Sequence, residues 1–187
     1  MANTVGIVAI QGDFERHGVA VEACGGSVQW VKTPDDLAGV DRVIIPGGES
    51  TTVGKLMERF GLGAALVQRA QAGMPIWGTC MGMILMAREV VGHDQFRLGL
   101  LDITVERNAF GAQVHSFEDD VEFHPLAEKV RGVFIRAPIV VSYGPSVEVL
   151  SQFEGKVVAV RQGALVGTSF HPELTDDHRI HCWFLEL

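Results

Sequence analysis

The first half of the chain alternates short apolar runs with longer amphipathic segments, and this alternation restricts the fold more than any other feature. The apolar runs suit strands buried on both faces and cover residues 5–10, 28–31, 42–45 and 75–77. The segments that follow them have apolar side chains near helical spacing and cover residues 12–24, 51–60, 64–71 and 81–90. Alternating strands and helices predict a parallel sheet with helices on both faces.

The second half changes to short strand-like segments, several of which are separated by glycine or proline. These segments cover residues 102–107, 113–123, 132–136, 139–143, 147–152, 157–162 and 164–169. They predict antiparallel strands added to the sheet, or a flap beside it. Residues 176–187 predict a helix with Ile180, Trp183, Phe184 and Leu187 on one face. No repeat or linker divides the chain, so we expect residues 1–187 to form a single mixed α/β domain.

Charge and composition restrict the classes of partner. The formal net charge is −8, and binding to nucleic acid is not favoured because that needs clustered lysine and arginine. No apolar run reaches the ~18–20 residues of a membrane span, and the N-terminus has no signal-peptide pattern. The three cysteines include no close pair, which predicts reduced thiols in a cytoplasmic protein. We therefore expect Cys24 and Cys182 to serve only in packing.

The sharpest local feature is the sequence GTCMG at 78–82, which follows a predicted strand and begins a predicted helix. A nucleophile between two such glycines sits on a tight, strained elbow. The helix N-terminus favours a thiolate at Cys80, and the backbone N–H of Met81 can donate to an oxyanion. The alternative is a small buried cysteine with a packing role.

A cysteine nucleophile needs a base, and His171 is the best candidate among the seven histidines. It follows an apolar run at 165–170, at the strand end where α/β enzymes place their active sites. Glu173, two residues later, can hold one imidazole nitrogen and fix its tautomer. The alternative is a surface histidine beside a turn proline.

Another histidine pair, His178 and His181, is spaced i, i+3 with Asp176 and Asp177 nearby. Zinc sites use such ligands, but no second cluster completes a four-ligand set, so no metal site is expected. A solvated helix face is the favoured interpretation of these histidines.

A glycine-rich loop at 44–52 lies between a predicted strand and a predicted helix. It lacks the ending of a P-loop, and Gly48 is either part of a structural turn or a backbone donor to an oxyanion. Arg107 and Arg136 each have the guanidinium fork that suits a carboxylate, although surface ion pairs are the commoner role. An amino-acid substrate would also need a carboxylate, such as Glu49, for its ammonium group.

Six motifs together resemble the class I, triad-type glutamine amidotransferases, and in particular the PdxT family of glutaminase subunits. They are AIQG at 9–12, PGGEST at 46–51, GTCMG at 78–82, RNAFG at 107–111, FIRAP at 134–138 and HPEL at 171–174. The resemblance implies a three-layer α/β/α domain with a central mixed, mostly parallel sheet. One departure is Met81, where the family usually has alanine.

The resemblance also implies roles for individual residues. The triad falls on Cys80, His171 and Glu173, and the oxyanion hole on the backbone of Gly48 and Met81. The positions that match glutamine-binding residues are Gly48, Glu49, Ser50, Arg107, Ile135 and Arg136. Gln11 matches a position near the oxyanion hole and the synthase interface.

The activity implied is hydrolysis of L-glutamine to L-glutamate and ammonia through a thioester, with no metal or organic cofactor. Ammonia would pass to the synthase subunit of a pyridoxal 5′-phosphate synthase. Three alternatives stay open: the glutaminase subunit of another synthase such as imidazole glycerol phosphate synthase, a non-enzymatic regulatory module, and a different acyl-transfer hydrolase.

Overall fold

A computed structural model of the chain describes residues 3–110 and 116–187. The α-helices are α1 Phe14–Ala23, α2 Ser50–Arg59, α3 Leu62–Gln71, α4 Met81–Met86 and α5 Arg179–Leu185. The first six strands are β1 Thr4–Val8, β2 Ser27–Val31, β3 Arg42–Ile45, β4 Ile76–Thr79, β5 Ala87–Val90 and β6 Leu101–Glu106. The others are β7 Ser116–Val121, β8 Val130–Ile135, β9 Ile139–Tyr143, β10 Glu148–Phe153, β11 Lys156–Gln162 and β12 Leu165–Thr168. Two 3₁₀ turns cover Pro34–Leu37 and Pro172–Leu174.

Ten of the strands in the described residues form one mixed sheet in the order β2-β1-β3-β4-β12-β11-β9-β6-β5, with β10 paired to β11. All pairs from β2 to β12 are parallel, as is β5 with β6. The remaining pairs of this sheet are antiparallel: β10 with β11, β11 with β12, β9 with β11, and β6 with β9. Strands β7 and β8 form a separate antiparallel ribbon. The predicted mostly parallel sheet with antiparallel additions is therefore confirmed.

The sheet is buried on both faces because apolar side chains line both sides of its central strands. Every residue of β3 and β4 is buried. One apolar cluster joins the sheet to α2, α3 and α4, and a second joins it to α1, α5 and the β7–β8 ribbon. These clusters make the three layers of the fold.

The predicted helix at 81–90 is wrong in its second half. Helix α4 ends at Met86, and the next residues form β5, which pairs parallel with β6. Arg88 and Glu89 are exposed, whereas Ala87 and Val90 are buried. Backbone pairing with a strand that lies further along the chain overrides the helical pattern here.

Two other sequence expectations need adjustment. The strand expected at 113–123 is observed from Ser116, and residues 113–115 lie outside the described residues, as does Gly111 of the RNAFG motif. In α5, Ile180 and Phe184 are buried as expected, but Trp183 is only half-buried, as is Leu187, which lies beyond the end of the helix. His181 and Leu185 occupy the buried face with Ile180 and Phe184.

The expectation that Cys24 and Cys182 are free thiols is wrong, because a disulfide joins them. Cys24 caps the C-terminal end of α1, and Cys182 lies in α5. Their Cα atoms are 5.1 Å apart although 158 residues separate them in sequence. Cys80 is the one cysteine left free. Only the packing of the first helix beside the last brings the pair together.

No helix within residues 3–110 and 116–187 is long and apolar enough to cross a membrane.

Candidate active site

Cys80 lies at the junction of β4 and α4, as the sequence predicts, and its backbone is strained. Its φ of 50° and ψ of −104° are unfavourable for a residue with a side chain. A Cβ on Gly78 would lie 2.7 Å from the backbone nitrogen of Met83, and a Cβ on Gly82 would collide with the carbonyl of Ile45. Both glycines are needed for the turn that presents Cys80.

Strand β12 brings His171 to the same edge of the sheet. It runs parallel to β4, and the Cys80 N–H donates to the Thr168 carbonyl at 2.7 Å. Three residues after Thr168, the His171 N–H donates to the Val133 carbonyl of β8 at 2.8 Å. The ends of two parallel strands and one ribbon strand thus converge on the base candidate.

His171 and Glu173 form a buried hydrogen-bonded pair. The distance from His171 Nδ1 to Glu173 Oε1 is 2.8 Å, and the two residues are 7% and 3% exposed. Burial lowers the pKa of His171, but the adjacent Cys80 and Glu173 outweigh it and raise that pKa to about 10. Burial raises the pKa of Glu173, but His17 and His171 outweigh it and hold that pKa well below its ordinary value. The pair therefore stabilises an imidazolium facing Cys80.

A cavity of about 370 Å³ opens beside Cys80 and His171. The sequence-predicted residues that line it are Gly48, Glu49, Ser50, Cys80, Met81, Arg107, Ile135, Arg136 and His171. Gly47 of the glycine-rich loop also lines it, and the lining residues that sequence reasoning missed are Gly12, Asp13, Ile84 and Asn108. Glu173 lies behind His171, and Gln11 lies behind the loop, so neither is part of the lining.

Backbone strain is concentrated around this cavity. Three of the four non-glycine residues with positive φ in the described chain line it: Cys80, Asn108 and Arg136, at 50°, 53° and 45°. Such conformations cost about 1–3 kcal/mol each and persist where the surroundings hold them in place. Gly47 contributes a close approach, because a Cβ there would collide with the His171 ring.

The loop after β3 is held from both sides. Gln11 Oε1 accepts the N–H of Glu49 at 3.1 Å. The Glu49 carboxylate caps α2 by accepting the N–H groups of Thr51 at 2.9 Å and Thr52 at 2.8 Å. Hydrogen bonds from these two threonines lower the pKa of Glu49 to about 2. Sequence reasoning missed this capping role, because glutamate is not among the residues that usually cap a helix N-terminus.

Gly48 and Met81, the residues expected to supply the oxyanion donors, approach each other through the Met81 side chain. A Cβ on Gly48 would be 3.3 Å from Met81 Cε, so the Met81 side chain lies over the loop. Met81 is the first residue of α4, where a backbone N–H has no intrahelical acceptor. The Cys80 sulfur lies 3.8 Å from the carbonyl oxygen of Ile135.

Gln95 links two of the predicted glutamine-binding residues. Its Oε1 accepts from Arg107 Nη1 at 3.2 Å and from Ser50 Oγ at 3.4 Å. Sequence reasoning missed Gln95, because a glutamine in a loop has no local signature of this role.

Two histidines lie behind Glu173, and the sequence interpretation of one of them is wrong. His181 is fully buried rather than part of a solvated helix face, and its Nε2 lies 2.9 Å from His17 Nδ1. His17 Nε2 lies 3.4 Å from Glu173 Oε2. Within residues 3–110 and 116–187, no group of three histidine, cysteine or acidic side chains could hold a metal ion.

Solved structures identify the fold as that of the glutamine amidotransferases. A crystal structure of a glutamine amidotransferase matches with a TM-score of 0.94 and 47% identity, covering 97% of each chain. PurLQS from Thermotoga maritima matches with a TM-score of 0.72 over 96% of this chain, at 18% identity, which shows the fold alone.

This chain belongs to the SNO glutamine amidotransferase family, whose sequence profile matches residues 7–187. The pyridoxal 5′-phosphate synthase subunit PdxT of Pelotomaculum thermopropionicum is 52% identical over 183 residues, covering 97% of this chain and 93% of that protein. The protein of the same description from Geobacillus kaustophilus is 49% identical, covering 98% of this chain and 93% of that protein. The family resemblance inferred from the six motifs is confirmed.

Proposed function

We propose that this protein is the glutaminase subunit of a pyridoxal 5′-phosphate synthase, hydrolysing L-glutamine to L-glutamate and ammonia for the synthase subunit. The observation that carries the reaction is Cys80 on its strained elbow, beside a buried His171 whose other ring nitrogen binds Glu173. About 50% identity to PdxT proteins over nearly the whole chain supports the assignment to this synthase.

The reaction begins with attack of the Cys80 thiolate on the side-chain amide carbon of glutamine. The backbone N–H groups of Gly48 and Met81 stabilise the tetrahedral oxyanion, and losing one such donor typically costs ~10²–10³ in rate. The imidazolium of His171 then gives its proton to the amide nitrogen, which leaves as ammonia. The product of this half-reaction is a thioester on Cys80.

The second half-reaction hydrolyses the thioester. His171, now neutral, takes a proton from water as the water oxygen attacks the thioester carbon. Collapse of the second tetrahedral intermediate releases glutamate and restores the thiolate–imidazolium pair. Glu173 keeps the Nδ1 proton on His171 and stabilises its charged form. The nucleophile, base and oxyanion donors all belong to the protein, so the hydrolysis needs no metal or organic cofactor.

The cavity has groups suited to both charges of the amino-acid end of glutamine. The guanidinium groups of Arg107 and Arg136 suit the α-carboxylate, and the ionised Glu49 suits the ammonium group. Ser50 and Ile135 complete the proposed binding set, and Gln11 supports the oxyanion loop through Glu49. A volume of about 370 Å³ lies within the usual range for small-molecule sites.

The test is glutamate release from L-glutamine by the purified protein, alone and with the synthase subunit. We expect Cys80→Ala to reduce release to the background in both conditions, because no other residue supplies the nucleophile. The Cys24→Ser/Cys182→Ser double variant is the control for removing sulfur elsewhere. Two results would contradict the proposal. One is a Cys80→Ala variant as active as wild type, and the other is a wild-type protein that releases no glutamate above background even with the synthase subunit present.

We also propose that residues 1–187 act as one glutaminase domain, since one continuous ten-stranded sheet runs through the described residues. We also propose that the protein is cytoplasmic. The Cys24–Cys182 disulfide counts against this location, because disulfides are rare in reducing compartments. Cell fractionation with thiol labelling before and after reduction tests this point. We expect the protein in the soluble cytoplasmic fraction, with Cys24 labelled only after reduction, and protein outside that fraction is the contrary result.

A further inference from the structure

A buried chain of polar side chains continues from the proposed triad into the protein interior. His17 of α1 and His181 of α5 are both 0% exposed, and His17 Nδ1 lies 2.9 Å from His181 Nε2. His17 Nε2 lies 3.4 Å from Glu173 Oε2 and 3.3 Å from Thr79 Oγ1. The Trp77 ring packs edge-on against both imidazoles, with its centroid 5.9 Å from that of His17 and 4.9 Å from that of His181. The proposed mechanism uses none of these histidines directly.

The surroundings select one arrangement of protons. The short contact between the two rings needs a single proton between His17 Nδ1 and His181 Nε2. If His17 donated it, the unprotonated Nε2 of His17 would face the Glu173 carboxylate. The Nδ1–H of His181 would also be buried with no acceptor among the described residues, and a buried unsatisfied donor costs about 1–3 kcal/mol.

The opposite arrangement avoids both costs. When His181 Nε2–H donates to His17 Nδ1, the His17 Nε2–H can donate to Thr79 Oγ1 at 3.3 Å, and His17 Nε2 lies within ion-pair distance of Glu173 Oε2 at 3.4 Å. Burial holds the pKa of His181 well below its ordinary value, so that ring is neutral and has one ring proton to place. His171 Nδ1 is then hydrogen-bonded to Glu173 Oε1 at 2.8 Å, and His17 Nε2 is the ring nitrogen that lies 3.4 Å from Oε2, a buried oxygen with no hydrogen-bond partner among the described residues.

We propose that His17 is a positioning residue for the triad: its Nε2–H holds the second oxygen of Glu173, and His181 fixes the His17 tautomer. This inference rests on the proposed glutaminase function. A carboxylate held at one oxygen can rotate about its Cγ–Cδ bond, whereas one held at both oxygens keeps Oε1 aimed at His171. His17 thereby acts on catalysis through Glu173, without touching substrate.

Two substitutions at His17 separate positioning from folding. Gln can place an amide N–H near the position of Nε2, whereas Leu fills similar space without a donor. For His17→Leu we expect kcat to fall by about 10- to 100-fold, the range for a misplaced catalytic group. The KM for glutamine should stay within about twofold because His17 does not line the cavity, and His17→Gln should recover kcat to within about threefold of wild type. His124→Gln, at an exposed histidine whose Nδ1 faces the Val149 carbonyl, is the matched control.

The ring protons can be observed directly in the wild-type protein. Two-bond ¹H–¹⁵N spectra should show a proton on Nε2 of His17 and of His181, each ring assigned by loss of its signal in the His17 or His181 variant. A His17 ring protonated at Nδ1 alone would overturn the inference even if His17→Leu does not fold.

The outcomes also separate this inference from the proposed function. If wild type releases glutamate, Cys80→Ala does not, and a folded His17→Leu keeps wild-type kcat, the positioning role is wrong and the glutaminase stands. If Cys80→Ala is as active as wild type, the glutaminase mechanism fails, and with it the role of His17. Two other results would count against positioning through the N–H group. One is a loss of kcat in His17→Leu that His17→Gln does not recover, and the other is a rise in KM for glutamine as large as the fall in kcat.

Discussion

The His171 side chain experiences two opposing influences. Burial disfavours its charged form, whereas Cys80 and Glu173 on either side favour it, and the second influence is the larger. The imidazolium therefore persists to higher pH than it would on an exposed histidine. This balance keeps His171 charged, as the proposed role of protonating the leaving ammonia requires.

The Glu173→Gln variant tests how much of this balance comes from the carboxylate charge. Gln preserves the shape and can still accept from His171 Nδ1, but the negative charge is lost. We expect the pKa of His171 to fall toward its ordinary value, so the imidazolium is lost at lower pH than in wild type. NMR titration of the His171 ring measures this shift, and kcat for glutamine should drop by about 10²–10⁴.

The control for this prediction is Glu122→Gln, at an exposed glutamate outside the cavity. An unchanged His171 titration in Glu173→Gln would mean that Glu173 does not stabilise the imidazolium.

Helix α2 depends on an acidic residue at its start. Glu49 accepts two backbone N–H groups that would otherwise have no partner in the first turn. The helix dipole favours negative charge at this end, and the hydrogen bonds keep the carboxyl ionised down to about pH 2. The same loop carries Gly48, so the cap also holds one of the proposed oxyanion donors in place.

Replacing Glu49 by Gln should reduce the free energy of unfolding by about 0.5–2 kcal/mol at pH 7, the usual cost of a lost cap. A carboxyl whose folded pKa is depressed contributes stability that is present above its unfolded pKa and lost as pH falls toward the folded value. The difference between wild type and variant should thus be complete above pH 4.5 and shrink as pH falls toward about 2.

Urea unfolding at pH 7 and at pH 3 measures this difference. Glu58→Gln, at an exposed position on the same helix, is the control for removing a charge without removing a cap. A difference that stays constant between the two pH values would show that the charge of Glu49 is not what stabilises the helix.

For the whole molecule, the Cys24–Cys182 disulfide closes most of the chain into one loop of 158 residues. It ties α1 to α5, and these two helices also carry His17 and His181. A bond across so long a loop reduces the conformational freedom of the unfolded chain more than a short-range bond would.

The Cys24→Ser/Cys182→Ser double variant should lose about 2–4 kcal/mol of unfolding free energy relative to the oxidised wild type. Reduced wild type should unfold at nearly the same urea concentration as the variant, because both lack the constraint. Urea unfolding of the three samples, oxidised, reduced and variant, checks this. Identical midpoints for oxidised and reduced wild type would contradict it.

The features that could be predicted from the sequence are those whose cause is local. Strands at 42–45 and 139–143 match β3 and β9 because each apolar run is bounded by residues that interrupt it. The elbow at Cys80 is recognisable from the sequence because two glycines, each two residues from the cysteine, permit a tight turn there. His171 and Glu173 were paired correctly because only a proline separates them, so their geometry depends on almost nothing else.

The features that required the tertiary structure join residues far apart along the chain. Cys24 and Cys182 meet across 158 residues, and His17 and His181 across 164. The sequence pattern predicts helix at β5 because the partner strand β6 begins at Leu101, eleven residues after β5 ends at Val90. A lone cysteine or histidine has the same local pattern whether its partner is water, a core or another side chain. The packing of α1 against α5 brings each cysteine and each histidine to its partner. The sequence around each of these residues does not indicate which residue that partner is.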